Sequence, residues 1–189
     1  MAPIPATTIR SVALLERAIG YTRAALALVD DSLLDEPTPC ADWDLRALLE
    51  HMDDALAAFT EAAELGTVDP RPLADQPDAE RLVQSLRLRA CSALGAWTHH
   101  YGDEPVLIGA ASLDACVLAA VGALEITVHG WDVAQACGAD LPLPPALAGS
   151  LLDVATDIVG DADRVTRFGA ARETDSAEPG ERLLAFLGR

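Results

Sequence analysis

The sequence predicts an all-α fold, a bundle of four long helices joined by a fifth and a short sixth. Three observations carry this reading. Ala, Leu, Glu and Arg dominate nearly the whole chain while β-branched runs stay short, which favours helix on propensity. Pro and Gly cluster at 35–41, 66–77, 102–109, 138–145 and 169–180 and cut the chain into segments long enough for helices. Within the segments, apolar residues recur at helical spacing.

The predicted helices cover about 7–30, 44–65, 78–98, 112–137, 144–160 and 181–187. The second has the clearest start, because the Asp44 carboxylate can accept hydrogen bonds from first-turn amides that have no partner within the helix. At about 100° per residue, Leu45, Leu48, Leu49, Met52, Leu56 and Phe59 fall on one stripe, the expected core face. The fourth helix repeats the pattern with Leu113, Val117, Ala120, Val121, Leu124, Val128 and Trp131. Long helices with such stripes and one or two longer connections pack as an antiparallel-type bundle. The expected organisation is a bundle over 1–163 and a tail over 164–189 that packs on it.

At 189 residues the chain is long enough to bury a sizeable core in one domain. With 30 acidic residues against 13 basic ones it carries a formal charge of −17, which repels phosphate backbones and anionic headgroups. Nucleic acid and membrane surfaces are therefore excluded as expected partners, and a small molecule, an ion or another protein is favoured. All 13 basic residues are Arg, and neither Lys nor Asn occurs, a signature of GC-rich codon usage. Cys40, Cys91, Cys116 and Cys137 form no C-x-x-C pair and no dense framework, which suits free thiols in a reducing compartment. No signal-like start and no uncharged apolar run of about 18 residues is visible, so a cytoplasmic location is expected.

Chemistry concentrates on few residues. Glu125 and His129 lie four apart on the fourth helix, one turn above each other, and Asp132 follows within an arc of about 60°. His51 sits at the edge of the stripe on the second helix, with Asp54 a turn further on. If these helices face each other, His51, Glu125 and His129 converge. Two imidazoles and a carboxylate on rigid helices suit a divalent transition metal with a position left open. Spacing alone equally allows boundary histidines that are hydrogen-bonded and bind nothing.

Two local words add to the spacing. Thr38-Pro39-Cys40-Ala41-Asp42-Trp43-Asp44 leading to His51, and Glu125-Ile126-Thr127-Val128-His129-Gly130-Trp131-Asp132, together resemble the actinobacterial metal-binding proteins of the DinB type. They are most similar to the N-terminal domain of mycothiol-dependent maleylpyruvate isomerases and their stand-alone relatives, whose ends the closing Arg182-to-Arg189 run also resembles. The resemblance implies a DinB-like four-helix bundle with a fifth helix. It also implies a divalent metal, zinc first and nickel, iron or manganese as alternatives, held by His51, Glu125 and His129. It further implies a small-molecule substrate and a low-molecular-weight thiol such as mycothiol as partner. The full isomerases carry a second domain for which this sequence has no room after the bundle, so maleylpyruvate isomerisation itself is not expected.

The expected function is thus a metal-dependent, thiol-using transferase or hydrolase acting on a small molecule. The alternative is a non-catalytic bundle that binds a metal or ligand for structure, sensing or sequestration. Trp43 and Trp131 are expected to fill the core or wall a pocket, and Asp132 to orient a histidine or stand on the surface. His99 and His100 are expected at a helix C-terminus, and Cys40 as a buried thiol unless the nearby helix N-terminus activates it. A homodimer through one helix pair is a further expectation.

Overall fold

The computed structural model describes residues 6–40, 43–68, 78–99, 105–108, 111–165 and 167–189. Six α-helices span these segments: α1 Ala6–Leu26, α2 Leu45–Leu65, α3 Ala79–His99, α4 Ala115–Ala136, α5 Pro145–Ile158 and α6 Pro179–Phe186. The all-α prediction stands, with two boundaries corrected. Helix α1 stops four residues early, because Asp30 takes an extended conformation and accepts from Ser32 N, starting a separate 3-10 turn at Asp31–Leu33. Helix α4 starts at Ala115, and the residues before it enter a small sheet.

That sheet was not predicted. Its strands are β1 Thr67–Val68, β2 Val106–Ile108 and β3 Ala111–Leu113, with β1 parallel and β3 antiparallel to the central β2. Leu113, expected on the α4 core stripe, is a β3 residue exposed at the surface, and Val117 is exposed as well. Helix α4 instead buries residues on nearly every side of its second half, from Leu124 and Ile126 to Val133 and Ala134. A helix surrounded by neighbours shows no single stripe, and its sequence therefore misleads a stripe search. By length and composition α4 is apolar enough to cross a membrane, but 67% of its apolar window is buried inside the bundle.

Helix α2 follows the prediction closely. Asp44 Oδ1 accepts from Ala47 N at 2.8 Å, and Gly66 closes the helix in the left-handed region at φ 68° with its amide donating to Ala62 O. Leu45, Leu48, Leu49, Met52 and Leu56 are buried, and Phe59 is half-buried.

In the bundle α1 packs chiefly along α4 and α2 along α3, with α2 against α4 and α1 against α3 closing the ring. Directions follow from the residues that meet. Thr22 lies at Ile126 and Gly130, seven residues beyond the point where Leu15 shares a cavity with Ala119 and Gly122, so α1 and α4 run parallel. Asp53 meets Ser85 and Arg89, and Ala79 N donates to Asp31 Oδ1 near the start of α2, so α2 and α3 also run parallel. The bundle is up-down-down-up, with antiparallel contacts only across the α2/α4 and α1/α3 faces. The α1–α4 approach is close: Thr22 Oγ1 donates to Ile126 O at 2.7 Å, and a β-carbon at position 130 would stand 2.7 Å from Thr22 Oγ1. Glycine is required there by space.

The C-terminal segment folds back onto the helices, with α6 packed on α5. Arg164 donates to Phe186 O at 2.8 Å and to Gly169 O at 3.2 Å, and its guanidinium covers the Phe186 ring. Gly188 turns the chain at φ 80° hard against Gly169, where a β-carbon would meet backbone at 2.6 Å. This turn points Arg189 back toward α4.

Candidate metal centre

The 34–44 segment is pinned to the start of α2 by Leu45 N donating to Glu36 O and Arg46 N to Leu34 O, both at 2.9 Å. It delivers Trp43 over the face of α2 that carries His51, with ring centroids 4.6 Å apart. The antiparallel α2/α4 contact then sets His51 opposite Glu125 and His129. His51 donates through Nε2 to Glu125 Oε1 at 2.8 Å, and His129 Nε2 lies 3.1 Å from that same oxygen. The donor atoms of His51, Glu125 and His129 all fall within 4.8 Å of one another. His51 and Glu125 keep 35% and 30% of their side-chain surface exposed, so the cluster has an open side.

Behind it runs a chain of buried ionic contacts. His129 donates through Nδ1 to Asp132 Oδ2 at 3.1 Å. Arg189 clamps Asp132 with two hydrogen bonds, Nε to Oδ1 at 2.8 Å and Nη2 to Oδ2 at 2.9 Å. Asp132 is fully buried and Arg189 nearly so. A bidentate guanidinium is the strongest partner a buried carboxylate finds in protein, and it fixes the plane in which the carboxylate presents itself to His129.

The electrostatics follow from these contacts. Burial opposes ionisation of Glu125, yet its bonds from His129 and His51 prevail and hold the carboxyl well below the usual range. Burial likewise disfavours charge on His129, but the acceptors Asp132 and Glu125 flank both ring nitrogens and push its pKa up to about 9. Without a cation, His129 is therefore an imidazolium between two carboxylates at neutral pH.

The sequence-predicted residues thus divide. His51, Glu125, His129, Asp132 and Trp43 come together, with Trp43 also 6.0 Å from His129. Trp131 is a partly buried ring packed on the core. Asp54 is half-buried, and it is the neighbouring Asp53 that is sequestered, accepting from Ser85 Oγ and Arg89 Nε at 2.7 Å each. His99 Nδ1 donates to Gly95 O at 2.7 Å at the end of α3, and His100 lies outside the described residues. Cys40 is half-buried with its donor atom within 4.8 Å of those of His129 and Asp132. Burial pushes its thiol pKa up, against the activation that a helix N-terminus would bring. Arg189 is the member that sequence reasoning missed. It lies 57 residues from Asp132, and no local spacing rule reaches that far.

The profile of the mycothiol maleylpyruvate isomerase N-terminal domain family matches residues 15–134. The chain belongs to this family. Among curated proteins it is similar to the uncharacterized proteins MT0763 and Rv0738 of Mycobacterium tuberculosis, strains CDC 1551 / Oshkosh and H37Rv, at 26% identity over 178 residues, covering 92% of this chain and 94% of each relative. Among solved structures it is similar to the mycothiol-dependent maleylpyruvate isomerase, with a TM-score of 0.60 and 16% identity over 78% of this chain and 67% of that one. A histidine-to-alanine mutant of that enzyme matches at a TM-score of 0.58 and 16% identity, over 77% and 68% of the two chains. At that identity the likeness establishes the shared DinB-like architecture of the isomerase N-terminal domain family.

Proposed function

We propose that this protein is a divalent-metal-dependent transferase or hydrolase that uses a low-molecular-weight thiol, such as mycothiol, on a small electrophile, with His51, Glu125 and His129 as the metal ligands. The observation that carries the reading is the convergence of two imidazole Nε2 atoms on one carboxylate oxygen, from two helices, with one side open. The donor set fits a small cation of zinc type. Metal–ligand bonds of about 2.0–2.1 Å in tetrahedral arrangement place donors about 3.4 Å apart, a small expansion of the present contacts. Bound there, such an ion supplies the charge that makes a thiol or water a nucleophile at neutral pH.

The chain's own residues prepare that site. Asp132, fixed by Arg189, holds Nδ1 of His129 so that Nε2 faces Glu125 and His51. The Trp43 ring covers His51 and limits access by water from the 34–44 side. With its pKa raised, Cys40 stays a thiol near neutral pH, which leaves the nucleophile to come from outside the chain.

Elemental analysis of purified protein is expected to find about one divalent metal per chain, lost in a His51→Ala, His129→Ala double variant. Metal-free protein, or undiminished metal in the variant, overturns the reading. A second reading, a closed non-catalytic site, draws on the Cys40, His129 and Asp132 donor group. The arginine already seated on both oxygens of Asp132 weighs against it. A cobalt-substituted sample separates the two: a spectrum that changes on adding a small thiol marks an open site, and an unchanged spectrum at full occupancy marks a closed one.

A further inference from the structure

We infer that residues 167–189 form a strap that fixes the imidazole of His129, with Gly188 and, from the turn before the strap, Arg164 as positioning residues acting through Arg189 and Asp132. This deepens the function proposed above and rests on it for the role of His129 as a ligand; the strap itself stands on separate contacts. None of it falls within residues 15–134, which carry the family match.

A guanidinium on a long stem has many rotamers, and it can hold both oxygens of a buried carboxylate only where its own backbone is fixed. Three contacts fix the backbone of Arg189. Leu183 and Leu187, both fully buried, anchor α6 in the core. The helix then closes in a Schellman turn, with Gly188 N donating to Ala185 O at 3.1 Å and Arg189 N to Leu184 O at 2.9 Å. Gly188 takes the left-handed conformation that this turn needs, at φ 80°. Finally, Arg164 Nη1 donates to both Phe186 O and Gly169 O, which ties the start of the strap to its end. That tie lies where Gly169 and Gly188 meet backbone to backbone, too close for a side chain on residue 188.

From Arg189 the effect passes along a row of hydrogen bonds. The Arg189 side chain, 7% exposed, takes both oxygens of Asp132. Asp132 Oδ2 also accepts from His129 Nδ1 at 3.1 Å. An arginine that swings away leaves a buried carboxylate to seek another partner, and Nδ1 then loses its fixed acceptor. A methyl group on residue 188 thus reaches the metal ligand through two intervening side chains. Arg164, whose hydrogen bonds lie with Gly169 and Phe186, reaches it through the same two.

Gly188→Ala and Arg164→Ala in the full chain test this. The first readout needs no metal. In chelated protein with isotope-labelled histidine, magnetic resonance is expected to show the His129 Nδ1 proton protected from exchange in the parent and exchanging rapidly with water in both variants. The second readout is zinc affinity, by competition with a chromophoric chelator. It is expected to fall about tenfold in Gly188→Ala, the low end of the range for partners of a ligating imidazole, and about threefold in Arg164→Ala. In an Arg189→Gln background neither substitution is expected to change it further by more than about twofold, because a strap that acts through Arg189 has nothing left to move. Losses of the same size with and without Arg189, as a general loss of stability would produce, overturn the inference. An unprotected His129 proton in the parent, or a protected one in both variants, overturns it too. If Gly188→Ala does not fold, Arg164→Ala carries the same comparisons alone. Absence of zinc from the parent overturns only the metal reading, since the proton still reports on the strap.

Discussion

Two residues apart on α2, His51 and Asp53 open onto two polar clusters of opposite character. Asp53 faces α3, is almost fully buried, and has each carboxylate oxygen satisfied, one by Ser85 and one by Arg89. His51 faces α4, keeps a third of its side chain exposed, and shares a single oxygen of Glu125 with His129. The first is a finished ion pair that joins two helices. The second brings three side chains to one oxygen and leaves two of those side chains about a third exposed. The two clusters differ in convergence and access, and burial alone does not distinguish them.

The largest expected effect breaks the structural side. Asp53→Ala leaves Arg89 and Ser85 without their acceptor; since Arg89 is itself a third exposed, the loss is about 2 kcal/mol, below the range of about 3–5 kcal/mol for fully buried pairs. Denaturant unfolding would show it, with metal content per folded chain unchanged. If metal content fell with stability, the two clusters would be one unit.

The next effect sharpens the functional side. Arg189→Gln removes the clamp from Asp132 and so loosens His129; metal affinity is expected to fall about 10–100-fold, as for other residues that orient a ligating imidazole. Competition with a chromophoric chelator measures it, and Arg189→Lys should restore only part, because an ammonium cannot reproduce the bidentate contact. An unchanged affinity would make the Asp132–Arg189 pair a structural feature like Asp53–Arg89.

A third expectation uses pH. His129 has its folded pKa raised to about 9, above an unfolded value of about 6.5, so its stabilising charge is fully present below 6.5 and is lost as pH rises to 9. Metal-free protein should therefore lose thermal stability across that window. Zinc affinity should rise across the same window, because binding must displace the proton on His129. Glu125, with its pKa lowered, acts at the other end: its contribution is present above the ordinary carboxylate value of about 4.5 and is lost progressively as pH falls below it. Thermal melts with and without chelator, from pH 6 to 9.5, would reveal the opposed slopes, and parallel slopes would refute them.

The smallest effect is local. Asp44→Ala removes one cap from α2 and should lower stability by about 1 kcal/mol without touching zinc content, read by the denaturant midpoint.

What was legible in the sequence had a short range. The α2 start came from one carboxylate, and Glu125 with His129 came from a four-residue spacing that any helix converts into adjacency. The pairing of α2 with α4 needed the two sequence words around Trp43 and His129. Long-range features left no such trace. The strands, two or three residues each, are too short to show a period, and the stripe on α4 was misplaced because neighbours surround that helix. Spacing from His51 pointed to Asp54, yet the buried acid is Asp53, because the partner that decides it, Arg89, stands on another helix. Arg189 was invisible for the same reason, since its role depends on the turn at Gly188.

The contact between Gly130 and Thr22 ties the donor cluster to a helix that supplies none of its members. A methyl group at position 130 would press on Thr22 and wedge α4 away from α1, so the helix that carries Glu125, His129 and Asp132 holds its place only while the residue after His129 has no side chain.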